Sequence, residues 1–192
     1  MKIYLIRHGE TESNLLKRYC GSFEDSLTAK GVQQAEDLSL KLRDVKFNKI
    51  YTSPLDRAVK SCQIIIPDGS YVKDERLKEM SFGIFENKSY AEIKELYPKE
   101  LEKWSLDWKG YALPQGESCQ EAFLRVSSFM KELERNESLD NVLLVAHGGI
   151  IKLIYCYILN SLDAFWSFTA YNCSINIVSF NYGSWSIEAI NK

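Results

Sequence analysis

Short apolar runs alternate with longer stretches of helical period along this chain. Residues 1–6, MKIYLI, read as a buried strand. TAKGVQQAEDLSLKLRDV then places Val32, Ala35, Leu38 and Leu42 at helical spacing, with Thr28 where an N-cap hydroxyl belongs. KIYTS is a short strand. SPLDRAVKSCQIII predicts a helix with Ser53 as N-cap and Pro54 at the first helical position, where a missing N–H costs nothing. Residues 89–108 are helical in character but polar, rich in Glu, Lys and Trp, and suit a lid or insertion better than a core element. GESCQEAFLRVSSFMKELERN predicts a further helix with Phe123, Val126, Phe129, Met130 and Leu133 inward. VLLVA is continuously apolar, as in strands buried on both faces of a parallel sheet, and a helix over 149–159 follows it. SINIVSF and SWSIEAI close the pattern as two strands joined by a turn at NYGS.

Strands alternating with helices predict an α/β fold, a three-layer α/β/α sandwich with a mostly parallel central sheet and a small helical insertion. The 192 residues fit one domain, 1–192, with the insertion at about 89–115.

Composition adds exclusions rather than leads. A net charge of −2 offers no electrostatic basis for nucleic-acid or anionic-membrane partners, so any anion must meet a local cluster of cations. MKIYLI is too short for a signal peptide, and GGIIKLIYCYILN, interrupted by Lys152, falls short of a membrane span. The five cysteines (Cys20, Cys62, Cys119, Cys156, Cys173) are odd in number, far apart and form no CxxC pair, which argues against a zinc knuckle and a disulfide framework. Asn-x-Ser sequons at Asn87, Asn136 and Asn172 carry no weight without secretion, and the expected location is cytoplasmic. Nothing in the composition bears on oligomeric state.

The chain has two histidines, His8 in YLIRHGE and His147 in LLVAHGG, and both follow an apolar run and precede glycine. Ligands of open α/β sheets bind where strands end at their carboxyl edge. A site there would gather Arg7, His8, Arg57 and His147, and the helix starting near Gly148 or Gly149 would add N–H groups and a positive dipole end. Two guanidinium forks suit paired phosphate oxygens better than an uncharged ligand. The plainer reading is that a histidine after a strand is a surface or satisfied core residue and that Arg57 is a solvated charge. The shared strand-His-Gly context of both histidines argues against it. A metal site is weakly supported, because no HExxH-type carboxylate motif accompanies the histidines.

RHGETESN, SLTAKGVQQA, TSPLDRA, LKEMSFGIFE, PQGES and VAHGG, in that order across nearly the whole chain, resemble the motifs of the histidine phosphatase superfamily, the phosphoglycerate mutase-like proteins. That resemblance implies His8 as nucleophile through a phosphohistidine intermediate, Arg7 and Arg57 clamping phosphoryl oxygens, and His147 completing the pocket. It further implies Glu79 as proton donor, Asn14 and Gly148 in the phosphate pocket, and Gly21 in a loop bordering the substrate. Glu117 and Ser118 would support the site from behind. The resemblance implies a small phosphomonoester substrate and calls for no metal or cofactor. A neutral imidazole attacks a phosphate dianion without the repulsion an anion would meet, and fixed cations then hold the equatorial charge. Glu10, Glu12 and Glu86 are expected to be solvated or paired with arginines, with Glu10 the next candidate acid.

Within the family, mutases tend to carry an insertion after the SPL..RA arginine and a closing tail. Here only residues 58–78 separate Arg57 from Glu79, which favours hydrolysis, and so does Gly149 where mutases more often have Asn. The wording resembles α-ribazole phosphatases, and Tyr97, Trp104, Trp108 and Tyr111 offer aromatic surface to a base-bearing substrate or simply seal the insertion to the core. A broad-specificity phosphatase, a mutase and a non-catalytic phosphate-binding module remain as alternatives. Three departures from the family wording bear on substrate shape, one of them the absence of a proline before the leucine in FEDSLT. Asn87 replaces a common Gly, where Asn tolerates a left-handed backbone, and Phe85 replaces a common Trp.

Overall fold

The computed structural model describes residues 1–136 and 139–192. The sequon at Asn136 runs through Glu137 and Ser138 and so lies outside the described residues. Six strands are joined by helices: β1 (Lys2–Arg7), α1 (Glu12–Leu15), α2 (Ala29–Leu42), β2 (Lys49–Thr52), α3 (Asp56–Ile65), β3 (Val72–Lys73), α4 (Tyr90–Leu96), α5 (Pro98–Leu106), α6 (Cys119–Glu134), β4 (Asn141–Ala146), α7 (Gly148–Ile158), β5 (Ile175–Asn181) and β6 (Ser184–Ala189). Short 3₁₀ turns stand at Glu75–Leu77, Gly83–Phe85 and Leu162–Ser167. The sheet order is β3-β2-β4-β1-β5-β6. β1, β2, β3 and β4 pair in parallel; β5 is antiparallel to β1, and β6 antiparallel to β5, so β5 alone runs against the rest.

Burial on both faces explains why β4 reads as unbroken apolar sequence. Val142, Leu144 and Ala146 point into one core with α6 and α7, and Leu143 and Val145 into the other with α2 and α3. This is the period of two along a strand, expressed on two apolar faces. The inward faces of α2 and α6 are those the helical period implied, with Ala35, Leu38 and Leu42 on one and Val126, Phe129, Met130 and Leu133 on the other. The Thr28 hydroxyl caps α2 by accepting the Gly31 N–H, a bond worth about 1 kcal/mol.

α3 departs from expectation. It begins at Asp56 after Leu55, and neither Ser53 nor Pro54 is helical. Ser53 instead continues β2, its N–H donating to the Val145 carbonyl at 2.9 Å, so sheet pairing overrides the capping signal. A third, smaller cluster joins Phe85 to Ile93, Leu101 and Leu113 of the α4–α5 region, with Tyr19, Tyr97, Trp104 and Tyr111 half-buried around it. Among the described residues no helix is long and apolar enough to cross a membrane.

Candidate active site

β1, β2 and β4 end side by side, and each delivers one polar residue just past its end. Arg7 is registered opposite Ala146, and the His8 N–H extends the ladder by donating to the Ala146 carbonyl at 3.0 Å. His147 and Ser53 follow β4 and β2, and Arg57 reaches in from the first turn of α3. The two imidazole rings stand 5.2 Å apart, centroid to centroid, at 60°. His8, Arg57 and His147 are all buried, and Arg57 is among the largest fully buried side chains in the molecule.

Each group has a distinct tether. His8 Nδ1 lies 2.7 Å from the Gly9 carbonyl, which can only accept, so Nδ1 carries the proton and Nε2 presents a lone pair. Burial first, and then the charges of Arg7 and Arg57, push the His8 pKa well below the ordinary imidazole range. His147 is lowered likewise, by burial and then by Arg57. Both rings are therefore neutral at pH 7. Arg7 donates through Nη1 to the Ala170 carbonyl at 2.9 Å, and burial lowers its pKa against an opposing pull from Glu79. Arg57 donates to the carbonyls of Phe23 (2.8 Å) and Gly21 (2.6 Å).

Among the described residues neither arginine has a carboxylate partner within ion-pair distance. Three buried side-chain nitrogens there lack any hydrogen-bond partner: Arg7 Nε, Arg57 Nε and His147 Nδ1. Unpaired buried polar atoms are costly and uncommon, and these three belong to one cluster. The arrangement fits an anion that offers several acceptor oxygens.

Glu79 sits beside this cluster with its carboxylate fixed by two backbone donors, Met80 N–H at 3.0 Å and Gly149 N–H at 2.9 Å, the latter in the first turn of α7. A Cβ at Gly149 would approach Glu79 Oε1 to 2.4 Å, so glycine there lets the carboxylate settle. Glu79 also lines a cavity of about 260 Å³ walled by Tyr19, Phe82, Trp104, Trp108, Phe165 and Trp166, with Lys152 at its edge. Lys152 Nζ lies over the Phe165 and Trp166 rings at 5.0 and 5.1 Å from their centroids. A wider cleft of about 640 Å³ opens near the start of β2 and holds neither histidine.

The remaining sequence candidates are placed as follows. Asn14 lies in α1, its Oδ1 accepting from Thr11 N–H (3.3 Å) and from Asn172 Nδ2 (3.1 Å). Gly21 gives its carbonyl to Arg57, and a Cβ there would fall 1.8 Å from the Met80 carbonyl, so only glycine permits that approach. Gly148 packs beside the Arg7 guanidinium. Glu117 binds Arg125 and accepts the Ser81 N–H, bracing the segment after Glu79, and Ser118 caps α6. Trp104 and Trp108 reach the cavity, whereas Tyr97 and Tyr111 pack against the α4–α5 cluster. Asn87 adopts the left-handed backbone, φ 58°, and Phe85 is buried in that cluster.

Two expectations about carboxylates are corrected. Glu10 pairs with Lys30 at 2.9 Å, not with an arginine, and that bond, foremost, lowers its pKa and makes it a poor acid. Glu86 is neither solvated nor paired with an arginine: it accepts the N–H groups of Gly21, Ser22 and Phe82, each at 2.9 Å, and so holds the loop whose carbonyls grip Arg57. Glu12 is exposed, as expected. Asn172, read only as a sequon, donates to both the His8 carbonyl (2.8 Å) and Asn14. Its position beyond the 3₁₀ turn at Leu162–Ser167, remote in sequence from β1, gave no local signal of that role.

A free imidazole lone pair among unpartnered buried cations at a sheet edge suits an anion that a neutral nucleophile can approach. Residues 3–192 match the model of the histidine phosphatase superfamily (branch 1), and the chain belongs to that family. It is 30% identical over 196 residues to the adenosylcobalamin/alpha-ribazole phosphatase of Escherichia coli (strain K12), spanning 100% of this chain and 91% of that enzyme. It is 31% identical over 194 residues to a putative phosphoserine phosphatase 2 of Hydrogenobacter thermophilus, spanning 100% and 95%. The crystal structure of a putative alpha-ribazole-5'-P phosphatase from Escherichia coli superposes with a TM-score of 0.95 at 27% identity, covering 100% and 96%. This chain is a phosphatase of the histidine type, with the three-layer α/β fold its alternating pattern implied.

Proposed function

We propose that the chain hydrolyses small phosphomonoesters without a metal, through a phosphohistidine at His8, and that its substrate is α-ribazole 5′-phosphate. The observation that carries the chemistry is the group of three partnerless buried nitrogens around a neutral His8 with its Nε2 lone pair free. In this reading Nε2 attacks phosphorus while Arg7, Arg57, His147 and Asn14 hold the oxygens and the P–O ester bond breaks. The Glu79 carboxyl gives its proton to the departing alkoxide. The resulting carboxylate then takes a proton from water as that water attacks phosphorus, and the P–N bond breaks to restore His8 and release inorganic phosphate.

The substrate assignment rests on the aromatic cavity adjoining Glu79, which suits a planar heteroaromatic leaving group, and on the names of the relatives. Serine, a small zwitterion, would leave that cavity unfilled. A generalist phosphatase is the second reading, favoured because the cavity meets its occupant mainly by packing, which discriminates weakly. We read residues 1–192 as one domain in which 89–115 is an insertion supplying one wall of the cavity.

The test is kcat/KM for phosphate release, with EDTA present, across α-ribazole 5′-phosphate, phosphoserine, 3-phosphoglycerate and p-nitrophenyl phosphate. α-Ribazole 5′-phosphate standing at least about a hundredfold above the rest is expected. A flat profile would select the generalist, and conversion of 3-phosphoglycerate to its 2-isomer would make the chain a mutase. His8→Ala should abolish turnover throughout; a variant that keeps it rules out the phosphohistidine.

A further inference from the structure

Ser53 plays no part in the chemistry described so far, yet it is completely buried and touches the second histidine. Its Oγ lies 2.7 Å from His147 Nε2 and accepts the Leu55 N–H at 3.3 Å. No other acceptor for the Ser53 hydroxyl proton stands within hydrogen-bond distance among the described residues. His147 is neutral, so it carries one ring proton, on Nε2 or on Nδ1.

The two arrangements are not equivalent. With the proton on Nε2, that N–H donates to Ser53, the serine proton is stranded, and a lone pair on Nδ1 is buried against the anion pocket. With the proton on Nδ1, Ser53 donates to Nε2 and both are satisfied. Only Nδ1–H is then left over, as a third donor beside the partnerless Nε atoms of Arg7 and Arg57. Stranding a buried hydroxyl costs free energy that the second arrangement avoids.

We propose that Ser53 is a positioning residue that holds His147 in its Nδ1–H tautomer, so that His147 serves as a neutral hydrogen-bond donor to a phosphoryl oxygen. Free neutral imidazole side chains prefer the proton on Nε2, so the serine works against the intrinsic preference. His8 carries its proton on Nδ1 as well, through the Gly9 carbonyl, but turns its other nitrogen to the substrate. One tautomer thus supplies two functions: a lone pair from His8 and a donor from His147. The inference rests on the phosphate-pocket reading of the proposed function, but its central test needs no turnover.

The experiment is ¹⁵N NMR of the histidine-labelled protein near pH 7, with the two rings assigned through His8→Ala, paired with the inhibition constant of inorganic phosphate. Wild-type His147 should be in the Nδ1–H form. Ser53→Ala should move it toward Nε2–H and weaken inorganic phosphate by about tenfold to a hundredfold, the range for a hydrogen bond to a charged group. Ser53→Thr, which keeps the hydroxyl, should restore both. A wild-type His147 protonated on Nε2 overturns the proposal, and so does a folded Ser53→Ala protein with unchanged tautomer and phosphate affinity. If Ser53→Ala does not fold, the wild-type spectrum decides alone. A protein that shows the tautomer and binds phosphate but hydrolyses no monoester would instead sink the phosphatase mechanism and leave this assignment standing.

Discussion

The two ends of the site are built on different principles. At the phosphate end every side chain is held by a hydrogen bond to backbone or to a buried hydroxyl: His8 by Gly9, Arg7 by Ala170, Arg57 by Gly21 and Phe23, His147 by Ser53. At the leaving-group end the walls are aromatic rings in mutual contact. Trp108 lies against Phe165 (5.6 Å) and Trp166 (5.5 Å), and Tyr19 against Phe82 (5.2 Å) and Trp104 (6.3 Å). Directional bonds fix atoms to fractions of an ångström, whereas packing tolerates a change of shape. In the proposed function the first end sets the reaction and the second chooses what departs, with little interference between them.

The contrast is open to breakage. Arg57→Ala should cost about 10²–10³ in kcat/KM toward every phosphomonoester alike, because it removes a fixed cation from the phosphoryl oxygens. A loss confined to one substrate would show that Arg57 reads the leaving group. Glu79→Gln sits on the boundary. It should cost about 10²-fold with alkyl phosphates and little with p-nitrophenyl phosphate, whose phenolate departs without a proton. Equal losses on both would remove Glu79 as the acid. The smallest effect is expected from Trp108→Ala, which should raise KM for aromatic-leaving-group esters about tenfold and leave inhibition by inorganic phosphate unchanged. Weakened phosphate inhibition would mean that the two ends are coupled.

The phosphate end was far more legible in the sequence than the other. His8, Arg7 and His147 come from short motifs at strand ends, which parallel pairing brings together, with Arg57 in the first turn of the following helix. Glu79 was legible only through the family resemblance. Ser53 stands at the strand end beside the histidines, but it does not cap α3: its Ser-Pro signal lost to a ladder bond with Val145 and a contact with His147. Glu86 and Asn172 hold loops that are remote in sequence, and nothing near either residue announces the partner. The cavity was half seen: Trp104 and Trp108 were named, but Phe165 and Trp166 come from a 3₁₀ turn beyond α7, and Tyr19 from the loop after α1. β3 went unnoticed because both its residues are exposed, which leaves no apolar pattern to detect.

The pairing of β1 with β4, Lys2 opposite Asn141 through Arg7 opposite Ala146, joins segments that are far apart in sequence. Such a contact closes a long loop, and contacts of that separation are slow to form. The strand that carries His8 has no complete pocket until the segment that carries His147 pairs with it. Partly folded forms lacking that ladder have two distant imidazoles and no pocket. Turnover by this enzyme is consequently a readout of completed folding, and recovery of activity after dilution from denaturant should trail the recovery of helix.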